Sequence, residues 1–264
     1  NGTGLNPLLQ NYWMTIHPPT LFLGFAALHV PFSFAMASLW KKEYLNWIKP
    51  ALPWFLFGVM ILGTGILMGG AWAYEALSFG GFWAWDPVEN ASLVPWMVLV
   101  AALHLALINH RKKKNPTSLF STYLLTILSF ILVLYSTYLT RSGILGESSV
   151  HSFADGLPGQ LIVMLSAFIL FAGYMLIKNY KGIKNISEKE EENSSSREFW
   201  MFIGAVVLFI ASFQITISTS LPVINTVFGT NYAPPEDVIE HYHSWQIPFA
   251  VIITFRSEER RVGK

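Results

Sequence analysis

PALPWFLFGVMILGTGILMGGAWAY, residues 50–74, contains no Asp, Glu, Lys or Arg. A membrane-crossing helix needs about 20 mostly apolar residues, so this stretch is long enough to cross a bilayer. Five further windows share the property: 1–40, 90–110, 115–140, 156–177 and 199–235. Only 12% of the chain is charged and 53% is hydrophobic, whereas soluble domains carry about 25% charge. The expected fold is therefore all-α, a polytopic transmembrane helix bundle with spans near 20–40, 51–71, 93–109, 119–140, 158–177 and 199–219. A seventh apolar run, IPFAVIITF from Ile247, is too short to span and reads as a truncated seventh helix. The domain expected is 1–255. The charged tail RSEERRVGK, 256–264, reads as foreign to it or as a mark of truncation.

Charge placement orients the spans. The connections 41–49, 111–114 and 178–197 hold 3, 4 and 5 Lys/Arg, while 71–92, 141–157 and 220–246 hold 0, 1 and 0. Positive charge collects on the cytoplasmic side. The second set of loops, with residues 1–19, is then expected to face outward. Net charge is +1, which gives no field for nucleic acid. There is no cysteine, so disulfides, Cys-based metal sites and a thiol relay are excluded for this stretch.

The outward loop beyond the opening stretch runs WAYEALSFGGFWAWDPVENASLVPW from Trp72 to Trp96. Aromatic residues do gather at membrane interfaces. Here they are interleaved with Gly80 and Gly81 and flank Asp86 and Glu89, which an anchoring belt does not require. Rigid rings with a few fixed polar groups suit a large planar ligand with polar edges.

The seven histidines differ in position. His17 precedes Pro18-Pro19 at the outer end of the first span, and His151 lies in the loop after the fourth. Two imidazoles flanking an aromatic loop can ligate one iron from opposite faces, though each alone suits an ordinary interfacial role. His104 lies within the third span and His29 within the first, at a comparable depth. An ionisable residue inside the membrane is a candidate functional group. His110 abuts a basic cluster, and His241 and His243 fall in EHYHSW of the last outer loop, a weak metal pattern. Arg141 is the only basic residue of the outer loops. Carboxylate recognition would explain it; so would snorkelling from a helix end.

GGFWAWDPVENASLVPW resembles the WWD signature of haem-handling membrane proteins, the CcmF/NrfE/CcsA family of cytochrome c-type biogenesis proteins. NPLLQNYWMTIHPPTLFLG (6–24) and LTRSGILGESSVHSFA (139–154) are similar to further segments of that family in the same order. Phe79, Phe82 and Ala84 stand where the family often has other aromatics. The resemblance implies cytochrome c assembly by a CcmF-type haem lyase subunit in the bacterial inner membrane, with the tryptophan loop on the periplasmic side. It implies haem held by His17 and His151 against Trp83 and Trp85. Asp86, Glu89 and Arg141 would lie beside it, and a second, embedded b-type haem would sit on His104, its other ligand coming from a later helix. The implied partners are apocytochrome c with a C-x-x-C-H motif, a haem chaperone, other maturation subunits and the lipid bilayer. A CcmC-like haem export or delivery protein without ligation activity is the alternative reading.

Overall fold

The computed structural model describes residues 4, 7–77, 80–112, 116–146, 149, 157–187 and 196–262. Among the described residues a short 3-10 turn, Pro7–Leu9, leads into eight α-helices: α1 Tyr12–Lys41, α2 Ile48–Ala76, α3 Pro87–Arg111, α4 Leu119–Arg141, α5 Pro158–Ile186, α6 Arg197–Thr219, α7 Leu221–Phe228 and α8 Val238–Val262. The first six are long and apolar enough to cross a membrane, so the protein is a multi-pass helical bundle.

α3 is the central helix. In its most apolar window 72% of residues are buried, against 17% in α5. It packs on α2, α4 and α6. α1 and α2 form the closest pair, and the sequence shows why. An added Cβ at Gly24 would sit 2.6 Å from Leu62 Cα, and one at Gly65 would sit 2.8 Å from Leu21 Cα. In lipid, where apolar burial gives helices little reason to associate, small residues that admit the neighbouring backbone supply the packing.

The helix boundaries differ from expectation most clearly near the two ends of the chain. α1 starts at Tyr12, before Pro18 and Pro19, so His17 is a helical residue rather than a loop residue. Proline frees the carbonyl four residues back. Here those carbonyls belong to Met14, beside a cavity, and Thr15, which is exposed. Asn11 starts the helix by accepting from Trp13 N–H at 2.8 Å. At the other end of the chain, 220–246 is largely helical, as α7 and the first turns of α8. Asp237 accepts from the backbone N–H of Glu240 at 2.8 Å, an N-cap contact. Val238, Tyr242 and Phe249 then recur at helical spacing and pack with Ile215 and Ala211 of α6. The apolar run from Ile247 thus continues a helix already begun.

Candidate functional site

The tryptophan loop is shorter than the sequence suggests. Trp72 is in α2 and Trp96 in α3, leaving residues 77–86 between the helices. Asp86 caps α3, accepting from Val88 N–H at 2.9 Å. Glu89, three residues on, turns back to accept from the N–H groups of Ala84 (3.0 Å) and Asp86 (3.2 Å). This reciprocal capping box satisfies donors the helix cannot, and it fixes the loop that carries the tryptophans. Ser149 also donates to Asp86, at 2.8 Å, which brings the connection after α4 onto the same loop.

Beside this loop lies a cavity of about 490 Å³ between α1, α2, α3 and α4. His17 and Met14 line it from α1, Gly69 and Trp72 from α2, Trp83 from the loop, Glu89 from α3 and Arg141 from α4. His17 stacks on Trp72, with centroids 6.0 Å apart and planes 15° apart. Gly69 makes room for it: an added Cβ there would sit 3.3 Å from His17 Nδ1. The indole Nε1 of Trp83 is buried and has no hydrogen-bond partner among the described residues.

Four residues singled out in sequence, His17, Trp83, Glu89 and Arg141, therefore share one cavity. Trp85 does not line it. Its ring is perpendicular to that of Trp83 (6.0 Å, 88°) and stacks instead on Tyr242 of α8 (4.7 Å, 14°). The two indoles form no common flat face. Phe82 is exposed and stacks on Tyr74 at 4.4 Å and 4°. His151 and Phe79 lie outside the described residues.

The other histidines separate. His104 Nδ1 lies 2.7 Å from Val100 O. A carbonyl only accepts, so Nδ1 carries the proton and the lone pair is on Nε2. His29 packs against Phe130 and Phe32 (5.0 and 6.1 Å) with Ser33 Oγ at 3.5 Å. His241 pairs with Ser218 at 2.9 Å, between α6 and α8. His243 meets the edge of Trp85 at 6.2 Å. Among the described residues no group of three or more His, Cys, Asp or Glu could hold a metal ion by itself.

Residues 1–145, which carry this loop and α1 to α4, match the family described as cytochrome C assembly protein. The chain belongs to that family. It is 34% identical over 255 residues to the cytochrome c-type biogenesis protein CcmF of Escherichia coli (strain K12), covering 96% of this chain and 38% of that one. It is 38% identical over 229 residues to the biogenesis protein ccl1 of Rhodobacter capsulatus, covering 86% and 34%. A solved structure of cytochrome c heme lyase CcmF superposes with a TM-score of 0.69 at 26% identity, over 94% of this chain and 36% of that one. The chain thus spans little more than a third of the length of these relatives. Family membership was legible from the WDPVEN stretch; the part played by Asn90 and Tyr242 around Trp85 was not. Asn90 had no charge or ring to draw notice, and Tyr242 lay in a segment read as loop.

Proposed function

We propose that this chain forms the haem-holding part of a cytochrome c haem lyase, with haem as the substrate seated in the cavity beside Trp83. The meeting of His17, Trp83 and Arg141 in one cavity of about 490 Å³ carries this reading. The volume lies within the range of about 300–1,000 Å³ common to ligand pockets. Much of the wall is apolar, as a porphyrin requires, and Trp83 Nε1, without a partner among the described residues, is a donor suited to a polar ligand edge. Arg141 suits a propionate, since guanidinium pairs with carboxylate in a planar, two-point contact. His17 would bind the iron on one face, with His151 as the second axial ligand until the histidine of the apocytochrome replaces one of them. Trp72, stacked behind His17, would fix the imidazole plane. Asp86 and Glu89 act on the loop rather than the iron, because their carboxylates cap α3.

Ligation adds each thiol of the C-x-x-C-H motif across a haem vinyl group. A carbon–sulfur bond forms at one vinyl carbon and the thiol hydrogen ends on the other. The substrate supplies both sulfurs, so a lyase without cysteine is chemically sufficient; its contribution is orientation. His104 fits an embedded b-type haem, because a protonated Nδ1 bonded to a backbone carbonyl places the lone pair on Nε2, the tautomer that ligates iron. Such a haem, when bound, supplies an electron relay. His104 itself would hold the iron of that haem.

The test is absorption spectroscopy and haem content of the full-length membrane protein with single substitutions. His17→Ala should remove the haem of the cavity and leave the embedded one; His104→Ala should do the reverse. Unchanged haem content in His17→Ala would sink the assignment. Covalent haem attachment to apocytochrome c by the same variants separates ligation from delivery: a delivery protein gives haem transfer without thioether formation. The periplasmic placement of the loop is checked by labelling an introduced cysteine near Gly80 from one side of the membrane.

A further inference from the structure

Trp85 has a backbone φ of 58°. The left-handed region is disfavoured for any bulky side chain and persists only where surrounding contacts impose it. Those contacts form a closed circuit. The Trp85 carbonyl accepts from Asn90 Nδ2 at 3.0 Å. Asn90 is fully buried, and the same amide nitrogen donates to Thr219 Oγ1 of α6 at 3.2 Å. Thr219 Oγ1 lies 3.2 Å from the Tyr242 hydroxyl of α8. The Tyr242 ring returns to Trp85 through the 4.7 Å stack. On both sides of Trp85 the chain is pinned as well, because the N–H groups of Ala84 and Asp86 end on Glu89.

We infer that Asn90 and Tyr242 are positioning residues that lock Trp85 in this conformation and so hold Trp83 against the cavity. The inference rests on the reading of that cavity as the haem site. Trp85 serves as the wedge between the loop and α8, while Trp83, edge-on to it, presents to the cavity. α8, which contributes none of the described residues of the cavity wall, thereby controls the orientation of a residue that does. A shift of the first turns of α8 would release Trp85 and with it Trp83.

The absence of cysteine in this stretch makes a site-specific probe simple. A nitroxide is placed through Ala84→Cys in the full-length protein, freed of any other reactive cysteine. Label mobility and haem absorption are then read in parallel. Tyr242→Ala should mobilise the label and reduce haem retention several-fold, whereas Tyr242→Phe, which keeps the stack, should restore both nearly to the unsubstituted level. A label as immobile in Tyr242→Ala as without it would overturn the inference, and so would a Phe variant as damaging as Ala. If Tyr242→Ala does not accumulate, the near-isosteric Thr219→Val removes the acceptor that holds the Asn90 amide in place, a contact that Tyr242→Phe leaves intact. It should mobilise the label, and no mobilisation counts against the lock. His17→Ala separates the two readings. Haem unaffected by His17→Ala, with a label still mobilised by Tyr242→Ala, refutes the haem site and leaves the lock standing.

Discussion

Trp47 and Trp83 sit at opposite ends of the bundle. Trp47, between α1 and α2, is buried and donates Nε1 to Tyr44 O at 3.2 Å. Its ring lies 4.9 Å from that of Tyr123. Around it Tyr123 bonds Ser38 Oγ at 2.6 Å and Tyr44 O at 3.1 Å, and Tyr44 donates to Asn179 at 2.8 Å. α1, α4 and α5 are stapled together there. Trp83 has a buried N–H with no partner among the described residues and a cavity in front of it. The same side chain is structural where its polar atom is satisfied and its ring enclosed. It is available to a ligand where neither holds. One end of the bundle is closed by satisfied polar contacts, and the other carries the cavity of the proposed haem site.

Four substitutions test that division. Tyr123→Ala should have the largest effect. Removing a fully buried aromatic costs about 3–5 kcal/mol, read as a loss of folded protein in thermal or detergent unfolding, while haem bound per folded molecule stays constant. Gly24→Leu should follow. Overpacking costs about 1–3 kcal/mol, and here the first added atom meets the Leu62 backbone. Since α1 also carries His17, this variant should lower both melting temperature and haem content, joining the two ends. Asp86→Ala removes the α3 cap and the Ser149 contact. It should cost about 1 kcal/mol and loosen the tryptophan loop, seen as faster proteolysis between α2 and α3. Trp83→Ala should change stability least, by less than about 1 kcal/mol, yet lose the cavity haem. A Trp83→Ala protein as destabilised as Tyr123→Ala would erase the distinction.

Much of the fold was legible in advance because hydropathy is a local quantity. Each of the six spans follows from its own residues, and the bundle adds only their neighbours. Errors arose where a local rule met a tertiary override. The apolar pattern places the first span near 20–40, yet α1 begins at Tyr12. EHYHSW was polar enough to pass for loop, although Asp237 caps a helix there. At the site, sequence spacing supplied the list of residues. It could not show that Asp86 and Glu89 spend their carboxylates on the α3 cap, although the D-x-x-E spacing before an apolar run is the signature of that cap.

By itself the sequence determined a membrane-crossing helical bundle and its family. Apolar run length and the WDPVEN segment fix these without reference to distant parts of the chain. Only the tertiary structure decided that Trp83 faces the cavity while Trp85 turns away to α8. That choice depends on a backbone angle held by Asn90, and Asn90 is itself held by Thr219, 129 residues along the chain. Ring orientation is set by contacts of that range, and no local pattern encodes them.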